Sequence, residues 1–347
     1  MAMTTIEVAR PVTGGVDTHG EVHMAAAVDQ VGGLLGTESF AASPAGYVAL
    51  LGWLSGFGDI ASVGVEGTGA YGAGLARFLR RSGITVAEVD RPNRQARRRQ
   101  GKSDPLDAVE AARAALSGRA GEVKAKDGAV EALRVLLVAR RSAAQARTKA
   151  IVQMRHLVYA APDDLAMALK GLSVKQLVER AGALRPLRSP DQVTASTKLA
   201  LHALAGRVRF LDEQLGDLDQ FVAPLVSCTA PALLELVGVG PLTAATLLVV
   251  AGDNSERLRS EAAWAHLCGV APLEASSGKV VRHRLDPGGN RQANGALWRI
   301  VTVRLSCDPE TQAYMERRSK EGRSKREVVR SLKRYVAREV YRRLPHR

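Results

Sequence analysis

The chain has few cysteines and no long apolar run, and each shortage argues against a class of protein. Its three cysteines are scattered, no CxxC pair occurs and no histidine stands at zinc-ligand spacing. A disulfide scaffold and a zinc finger are therefore excluded, and a reduced cytoplasm is favoured. No stretch of about 18 uncharged apolar residues is present, which argues against a membrane span. The first residues lack a basic segment followed by an apolar one, so we expect no secretory leader.

Positive charge is abundant and is concentrated in two short segments. The 347 residues carry 49 Lys+Arg against 35 Asp+Glu, a formal net charge of +14. Residues 91–102 contain six Lys/Arg and no acid, residues 313–347 contain thirteen Lys/Arg and four Glu, and the rest of the chain is close to neutral. Charge concentrated in this way is typical of proteins that bind nucleic-acid phosphates. A solubilising tail is the alternative for the second segment, and an anionic membrane surface ranks well behind nucleic acid as a partner.

The first 120 residues have the pattern of a mixed α/β domain. Three short apolar runs separated by Gly-containing turns predict three antiparallel strands, at residues 12–18, 22–28 and 34–40. Predicted helices at 45–54, 73–81 and 105–116 then alternate with predicted strands at 60–65 and 84–89. The order β-β-β-α-β-α-β-α is that of the ribonuclease H-like, or RuvC-like, fold.

The remainder of the chain reads as mostly helical. Residues 127–160 and 196–226 are long Ala/Leu-rich patterns that predict an antiparallel hairpin or an oligomerising coiled coil. Residues 233–251, with the turn GVGP in the middle, predict a helix-hairpin-helix whose backbone N–H groups face a phosphate. We expect four segments: a RuvC-like acidic domain (10–120), a helical coiled-coil region (125–228), a domain with the helix-hairpin-helix and a serine motif (229–310), and a basic C-terminal helix or tail (311–347).

Four carboxylates of the first domain stand at strand ends and at a helix start. Asp17 lies on the first strand, and Glu66 lies at the end of the predicted strand 60–65. Asp104 and Asp107 share one face of a helix. Acids gathered this closely repel one another unless a hard cation lies between them, and Mg²⁺ is the usual one in phosphoryl transfer. The alternatives are structural: Asp104 as an N-cap, Asp107 as a partner of the helix dipole, and Glu66 as a solvent-facing residue.

A serine in the second half is a candidate nucleophile. Ser276 and Ser277 precede Gly278 in the segment CGVAPLEASSGK. Cationic side chains able to stabilise an alkoxide and a phosphate follow, namely Lys279, Arg282, His283 and Arg284. Taken alone, the SSGK segment is more typical of a turn in which Ser and Gly serve the backbone shape.

Six motifs in chain order give the chain a family resemblance. They are GVDTHG, VEGTGAYG, KSDPLDA, VGVGPLTAATLL, CGVAPLEASSGK and HRLDPGGNRQANGALWRI. Together they resemble the DEDD-type transposases of bacterial insertion sequences, which are relatives of the Piv-type invertases and are bridge-RNA-guided serine recombinases. The resemblance covers about residues 12–305.

The resemblance implies a role for each of these sites. Asp17, Glu66, Asp104 and Asp107 would be the residues that bind Mg²⁺ or Mn²⁺. Ser277, with Ser276 as the alternate, would be the nucleophile that forms a phosphoserine link to DNA. The implied partners are donor and target DNA, a non-coding bridge RNA and further copies of the chain, as a tetramer or dimer of dimers, in the nucleoid-associated bacterial cytoplasm.

Nucleic acid would contact the basic segments and the Gly-containing turn. The residues that we expect to make these contacts are Arg91, Arg94, Arg97, Arg98, Arg99, Lys102, Gly238, Gly240, Lys279, Arg282, Arg284 and Arg291.

Three functions remain open from the sequence. The first is a recombinase that uses the serine; the absence of a GxxxxGK[ST] loop agrees with it, because a covalent phosphoserine conserves bond energy without a nucleotide cofactor. The second is a RuvC-like junction-resolving nuclease in which water attacks. The third is a non-enzymatic nucleic-acid-binding protein whose acids are structural.

Overall fold

A computed structural model describes residues 10–89, 103–124, 128–186, 191–255, 258–274, 276, 283–284 and 286–345. The chain divides into two compact units, residues 1–127 and 128–347. Within the described residues no helix combines the length and the apolar character that crossing a bilayer requires.

The first unit is built on a six-stranded mixed sheet with the order β3-β2-β1-β4-β5-β6. Its strands are β1 (Pro11–Thr18), β2 (Val22–Val28), β3 (Leu34–Ala41), β4 (Asp59–Glu66), β5 (Val86–Val89) and β6 (Gly121–Glu122). The three antiparallel strands predicted for residues 12–40 are present, and β1 pairs in parallel with β4. The α/β class is confirmed; β6 was not predicted, and β5 begins two residues later than expected.

Helices cover both faces of this sheet. They are α1 (Pro44–Ser55), α2 (Ala73–Arg81) and α3 (Asp104–Leu116). Ser43 caps α1 by accepting a hydrogen bond from the Gly46 amide, as the Ser-Pro pair predicts. Leu50, Leu54 and Leu79 of α1 and α2 pack on one face of the sheet with Val16, Val63 and Val65. Helix α3 packs on the other face.

Two glycines let α3 approach the sheet at backbone distance. A Cβ on Gly15 of β1 would lie 2.2 Å from the Ala108 carbonyl oxygen, and one on Gly64 of β4 would lie 2.3 Å from that of Ala111. No side chain fits at either position unless the helix moves away from the strands. Gly15 and Gly64 pair with each other in the sheet, so α3 crosses both strands at one level.

Gly15→Ala is therefore expected to destabilise the first unit by about 3 kcal/mol, at the upper end of typical overpacking costs. The matched control is Gly52→Ala on α1, where an added Cβ meets nothing within 4 Å. That change is expected to stabilise by about 0.5–1 kcal/mol through helix propensity. The urea midpoints of unfolding distinguish the two variants, and equal midpoints would contradict the close packing of α3.

The second unit begins with two long helices that run antiparallel. They are α4 (Ala129–Tyr159) and α7 (Gln192–Thr229), with the short helices α5 (Asp163–Leu169) and α6 (Val174–Gly182) between them. Arg140 pairs with Asp219 and Arg147 pairs with Asp212, so residue numbers rise along one helix as they fall along the other. The two long patterns thus form a hairpin within the chain.

The rest of the second unit packs around a buried core. Its elements are α8 (Pro231–Leu234), α9 (Pro241–Ala251), α10 (Glu261–Leu267), β7 (Leu273–Glu274), β8 (His283–Arg284), α11 (Arg291–Cys307), α12 (Pro309–Lys320) and α13 (Lys325–Arg343). The first helix of the predicted helix-hairpin-helix is shorter than expected, because α8 ends at Leu234, whereas the sequence predicted that it would extend to Val237. Gly238 adopts a positive φ of 80° in the turn before α9.

The basic C-terminal segment is helical, as predicted, and it belongs to this core. Val328, Leu332, Val336 and Val340 recur every four residues along α13 and are buried. Arg304 of α11 donates to the Val237 carbonyl oxygen at 2.8 Å and forms an ion pair with Glu339 of α13 at 2.7 Å. The terminal helix is thereby joined to the Gly-containing turn.

Candidate active site

Asp17 and Glu66 lie at the same edge of the first sheet. Val16 of β1 pairs with Val65 of β4 in parallel register, and each acidic residue comes one position later. Because side chains alternate along a strand, both carboxylates point to the face that carries Gly15 and Gly64, which is the face covered by α3. The predicted convergence of these two strand ends is present in the backbone.

A hydrogen bond holds the two strand ends together. The Thr18 hydroxyl donates to the Glu66 carbonyl oxygen at 2.8 Å. Gly67 follows with a φ of 69°, and a Cβ there would lie 3.0 Å from the same hydroxyl oxygen. The tight turn after Glu66 therefore needs glycine, which explains the first glycine of VEGTGAYG.

Helix α3 brings two further carboxylates to this edge. Its first residue is Asp104, and Asp107 follows one turn later with 4% of its surface exposed. Ser103 occupies the N-cap position, so the interpretation of Asp104 as the N-cap is wrong. Asp107 lies one residue before Ala108, where the helix touches the sheet at Gly15. The burial of Asp107 also argues against a purely solvated role in offsetting the helix dipole.

His19 joins the cluster and was not among the predicted site residues. Its Nε2 lies 3.2 Å from an oxygen of Asp17 and 3.6 Å from one of Asp104. Its position in the turn GVDTHG, two residues after Asp17, was the available signal. Because His19 directly follows the end of β1, its imidazole can reach back to the aspartate two residues earlier.

Burial is the main cause that raises the pKa of Asp17. The residue is 7% exposed, and the carboxylates of Asp107 and Asp104 raise its pKa further, while His19 lowers it. Ionisation of Asp17 therefore costs free energy in this site, and a nearby cation would offset that cost.

The donor set fits a divalent metal ion. One ligand atom each from Asp17, His19 and Asp104 lie within 4.8 Å of one another. Carboxylate oxygens are the ligands that Mg²⁺ and Mn²⁺ prefer.

The first residue of the serine motif follows a short strand of the second unit. Strands β7 and β8 pair antiparallel, and Ser276, which is exposed, follows β7 by two residues. Ser277, Lys279 and Arg282 lie outside the described residues, as does the whole basic run with Arg91, Arg94, Arg97, Arg98, Arg99 and Lys102.

Residues of the predicted motif DPGGNRQAN form hydrogen bonds within the motif and to the segment that precedes β7. The carboxylate of Asp286 accepts a hydrogen bond from the Gly288 amide at 2.9 Å, which is the main cause that lowers its pKa. The Asn294 amide donates to the carbonyl oxygens of Cys268 and Gly269. The segment DPGGNRQAN thus positions the chain that leads into β7.

A basic cavity of 580 Å³ opens beside the hairpin. Arg284 of β8 lines it together with cations of α12, α13 and their connection, namely Arg318, Arg323, Arg330, Lys333 and Arg334. Lys333 is 8% exposed and donates to Asn294 at 2.8 Å; burial, and then Arg330, lower its pKa. With Glu327 as the one carboxylate in the described lining, the cavity favours an anion such as a phosphate.

The other predicted nucleic-acid contacts in the described residues are accessible in part. Arg291 is exposed at the start of α11, and Gly240 is exposed at the N-cap of α9. Gly238 is half-buried, because it packs against Ile300 and Arg304.

Comparison with known proteins gives two family matches along the chain. A profile of DEDD transposases of the IS110 type, described as "Transposase", matches residues 14–161. A second profile, described as "Transposase IS116/IS110/IS902 family", matches residues 230–316. The first match includes every residue of the acidic cluster, and the second includes the serine hairpin.

Two curated proteins are similar to part of the chain. An "Insertion element IS110 uncharacterized 43.6 kDa protein" of Streptomyces coelicolor is 31% identical over 134 residues, which is 38% of this chain and 33% of the relative. An "Insertion element IS900 uncharacterized 42 kDa protein" of Mycobacterium paratuberculosis is 27% identical over 148 residues, 42% of this chain and 37% of the relative. The similar segments thus span about a third of the length of each relative.

Proposed function

This chain carries two domains of the IS110/IS116/IS902 transposase family, and from that premise we propose that it is an insertion-sequence transposase that cuts and rejoins DNA. The observation that carries the proposal is the cluster of Asp17, His19 and Asp104, with Asp107 and the end of β4 at the same edge. A cluster in which buried carboxylates (Asp17 and Asp107) adjoin an exposed one (Asp104) is suited to phosphoryl transfer on a polyanion.

The acidic residues have separate tasks in this proposal. Asp17 and Asp104 would hold Mg²⁺ or Mn²⁺, with Glu66 and Asp107 completing the tetrad. The metal ion, when bound, supplies positive charge to the phosphate oxygens on which negative charge develops. His19 orients the Asp17 carboxylate through their 3.2 Å contact. The proposed RuvC-like fold is supported by the strand order, in which β1 lies centrally between β2 and β4.

The serine supplies the covalent step. Its hydroxyl oxygen forms a bond to the phosphorus of a DNA phosphodiester, and the bond from phosphorus to one sugar oxygen breaks. That oxygen takes up a proton and leaves as a hydroxyl, and a hydroxyl of another strand then reverses the step to reseal the backbone. Arg284 and Lys333 beside the hairpin support phosphate binding at this point.

A bridge RNA and a tetramer complete the proposal. Base pairing would select the donor and target sites, while the protein's cations bind the backbones. In the assembly that the resemblance implies, an acidic site of one copy meets a serine of another. The presence of the two sites in different compact units is consistent with this arrangement.

The deciding experiment looks for a covalent protein–DNA intermediate. The full chain is incubated with Mg²⁺ or Mn²⁺, RNA transcribed from the DNA that flanks its coding frame, and labelled DNA of the element's ends. A labelled adduct that survives denaturation is expected. Free DNA ends without an adduct would overturn the serine mechanism in favour of a water-using nuclease, and binding without any cleavage would favour the non-enzymatic alternative.

A further inference from the structure

A second basic cavity is lined by none of the described residues of β7 and β8, and we call it the Trp298 groove. It has a volume of 430 Å³ and lies between α4, α9 and α11 of the second unit. The lining residues that matter for its chemistry are Arg141, Thr243, Arg291, Gly295, Trp298 and Arg299. Thr243 comes two residues after the start of α9, so the groove reaches the second helix of the Gly-containing turn.

The groove is positively charged. Its described lining contains four arginines and no carboxylate. Arg140 is already paired with Asp219, and Arg141 donates to the neutral Gln292 side chain at 2.8 Å. Arg291 and Arg299 are exposed, and neither is ion-paired to a carboxylate of the described chain. These cations are available to an external anion.

An aromatic ring stands among these cations. Trp298 is 53% exposed, whereas Trp264 of the same unit is fully buried. The buried side of α11 is formed by Ala293, Leu297 and Ile300, so the ring of Trp298 contributes little to the core. A large exposed aromatic beside arginines is typical of a site that stacks on a flat partner.

Gly295 keeps the groove open. It lies in the interior of α11, where glycine costs about 1 kcal/mol relative to alanine. A Cβ at Gly295 would meet nothing within 4 Å, so packing within the chain gives no reason for glycine there. The missing methyl leaves room for an atom of a ligand on the groove side of the helix.

We propose that the Trp298 groove binds single-stranded nucleic acid, with one base stacked on Trp298 and the adjoining phosphates held by Arg291 and Arg299. Both faces of a base inside a duplex are covered by its neighbours, so only an unpaired base offers its face to the ring. The inference takes from the proposed function only the class of ligand, which is nucleic acid. It adds the residues of the second unit that would hold an unpaired strand.

The test uses the fluorescence of Trp298 in the full chain. Wild-type protein without divalent metal is titrated with a 20-nucleotide oligo(dT), with an oligo(U) of the same length, and with a duplex of that length. Quenching of tryptophan emission by the single strands is expected, and a preference between the two arms distinguishes DNA from RNA. Trp53, which is half-buried, and Trp264, which is buried, also emit, so the same titration of Trp298→Ala measures the background.

Four variants separate stacking from charge. Trp298→Ala is expected to weaken single-strand binding about 5- to 100-fold, as for a lost base stack, and Trp298→Phe to restore most of it, both measured by anisotropy of a labelled oligonucleotide. Arg299→Gln is expected to lower the slope of log affinity against log salt by about 0.7, the value for one phosphate of a single strand. Gly295→Ala is expected to raise the melting temperature while weakening binding.

Three results would overturn the inference. One is unchanged tryptophan emission together with unchanged affinity of Trp298→Ala, and the second is equal quenching by duplex and single strands. A change in sedimenting mass of Trp298→Ala without a change in affinity would assign the ring to a protein contact and would also overturn it. If the groove does not bind single strands but the protein still cleaves DNA, the transposase proposal is unaffected. If the groove binds single strands but no DNA is cleaved, the groove proposal is unaffected.

Discussion

Asp17→Asn is expected to abolish DNA cleavage and rejoining, by about 10³-fold or more, while leaving the protein folded. Such a loss corresponds to about 4 kcal/mol of the activation barrier. The amide keeps the shape of the side chain but removes the charge that a divalent ion requires. Because burial and the nearby carboxylates raise the pKa of Asp17, removing the charge relieves repulsion in the metal-free protein. Its melting temperature without metal is therefore expected to be unchanged or higher.

The matched control is Asp59→Asn at the other end of the strand that carries Glu66. Asp59 is the first residue of β4 and is exposed, and its backbone pairs with Pro11 at the start of β1. This variant should cleave DNA at the wild-type rate in the same assay. Added Mn²⁺ should raise the melting temperature of wild type and of Asp59→Asn but not of Asp17→Asn. Retained cleavage after replacing both Asp17 and Glu66 by alanine would show that the acids are structural.

Ser277→Ala is expected to bind nucleic acid normally and to form no adduct or recombinant product, a loss of about 10⁴-fold or more. The methyl group cannot attack phosphorus, whereas the cations that hold the phosphate remain. Ser276→Ala is the neighbouring control and is expected to keep activity, because the family resemblance places the nucleophile directly before Gly278. Denaturing gels of labelled DNA measure the adduct, and anisotropy measures binding.

Two results with the serine variants would contradict the assignment of Ser277 as the nucleophile. Loss of activity in Ser276→Ala, with activity kept in Ser277→Ala, would identify Ser276 as the nucleophile. Full activity in both single variants and in the double variant would remove the serine mechanism altogether and favour attack by water.

Much of the first unit could be predicted from residue patterns. The runs around Val16 and Val63 are β-branched, apolar and bounded by glycines, so their strands were found to within one or two residues. Since the carboxyl ends of neighbouring parallel strands meet at one edge, the approach of Asp17 and Glu66 followed from the strand order alone. The two-residue strand β6 could not be found, because a pair of residues carries no periodicity.

What could not be predicted depends on contacts between distant segments. The approach of α3 requires Gly15 and Gly64 to be opposite each other, which is a property of the strand register. His19 resembled a turn residue until the sheet edge placed it beside Asp17 and Asp104. The exposure of Trp298 also depends on packing between helices, because only the contacts of α11 show that Ala293, Leu297 and Ile300 form its buried side.

The burial of α13 has a consequence for copies of the element that decay by mutation. A premature stop after residue 316, where the family match ends, would remove Val328, Leu332 and Val336 from the core of the second unit. Leu297 and Ile300, which belong to the same core, would then be left uncovered. Such a shortened product would still encode every acid of the first unit, yet its serine-bearing half would be prone to aggregation and degradation. Loss of the residues after 316 would thus disable the proposed serine-dependent step as effectively as a change of Ser277 itself.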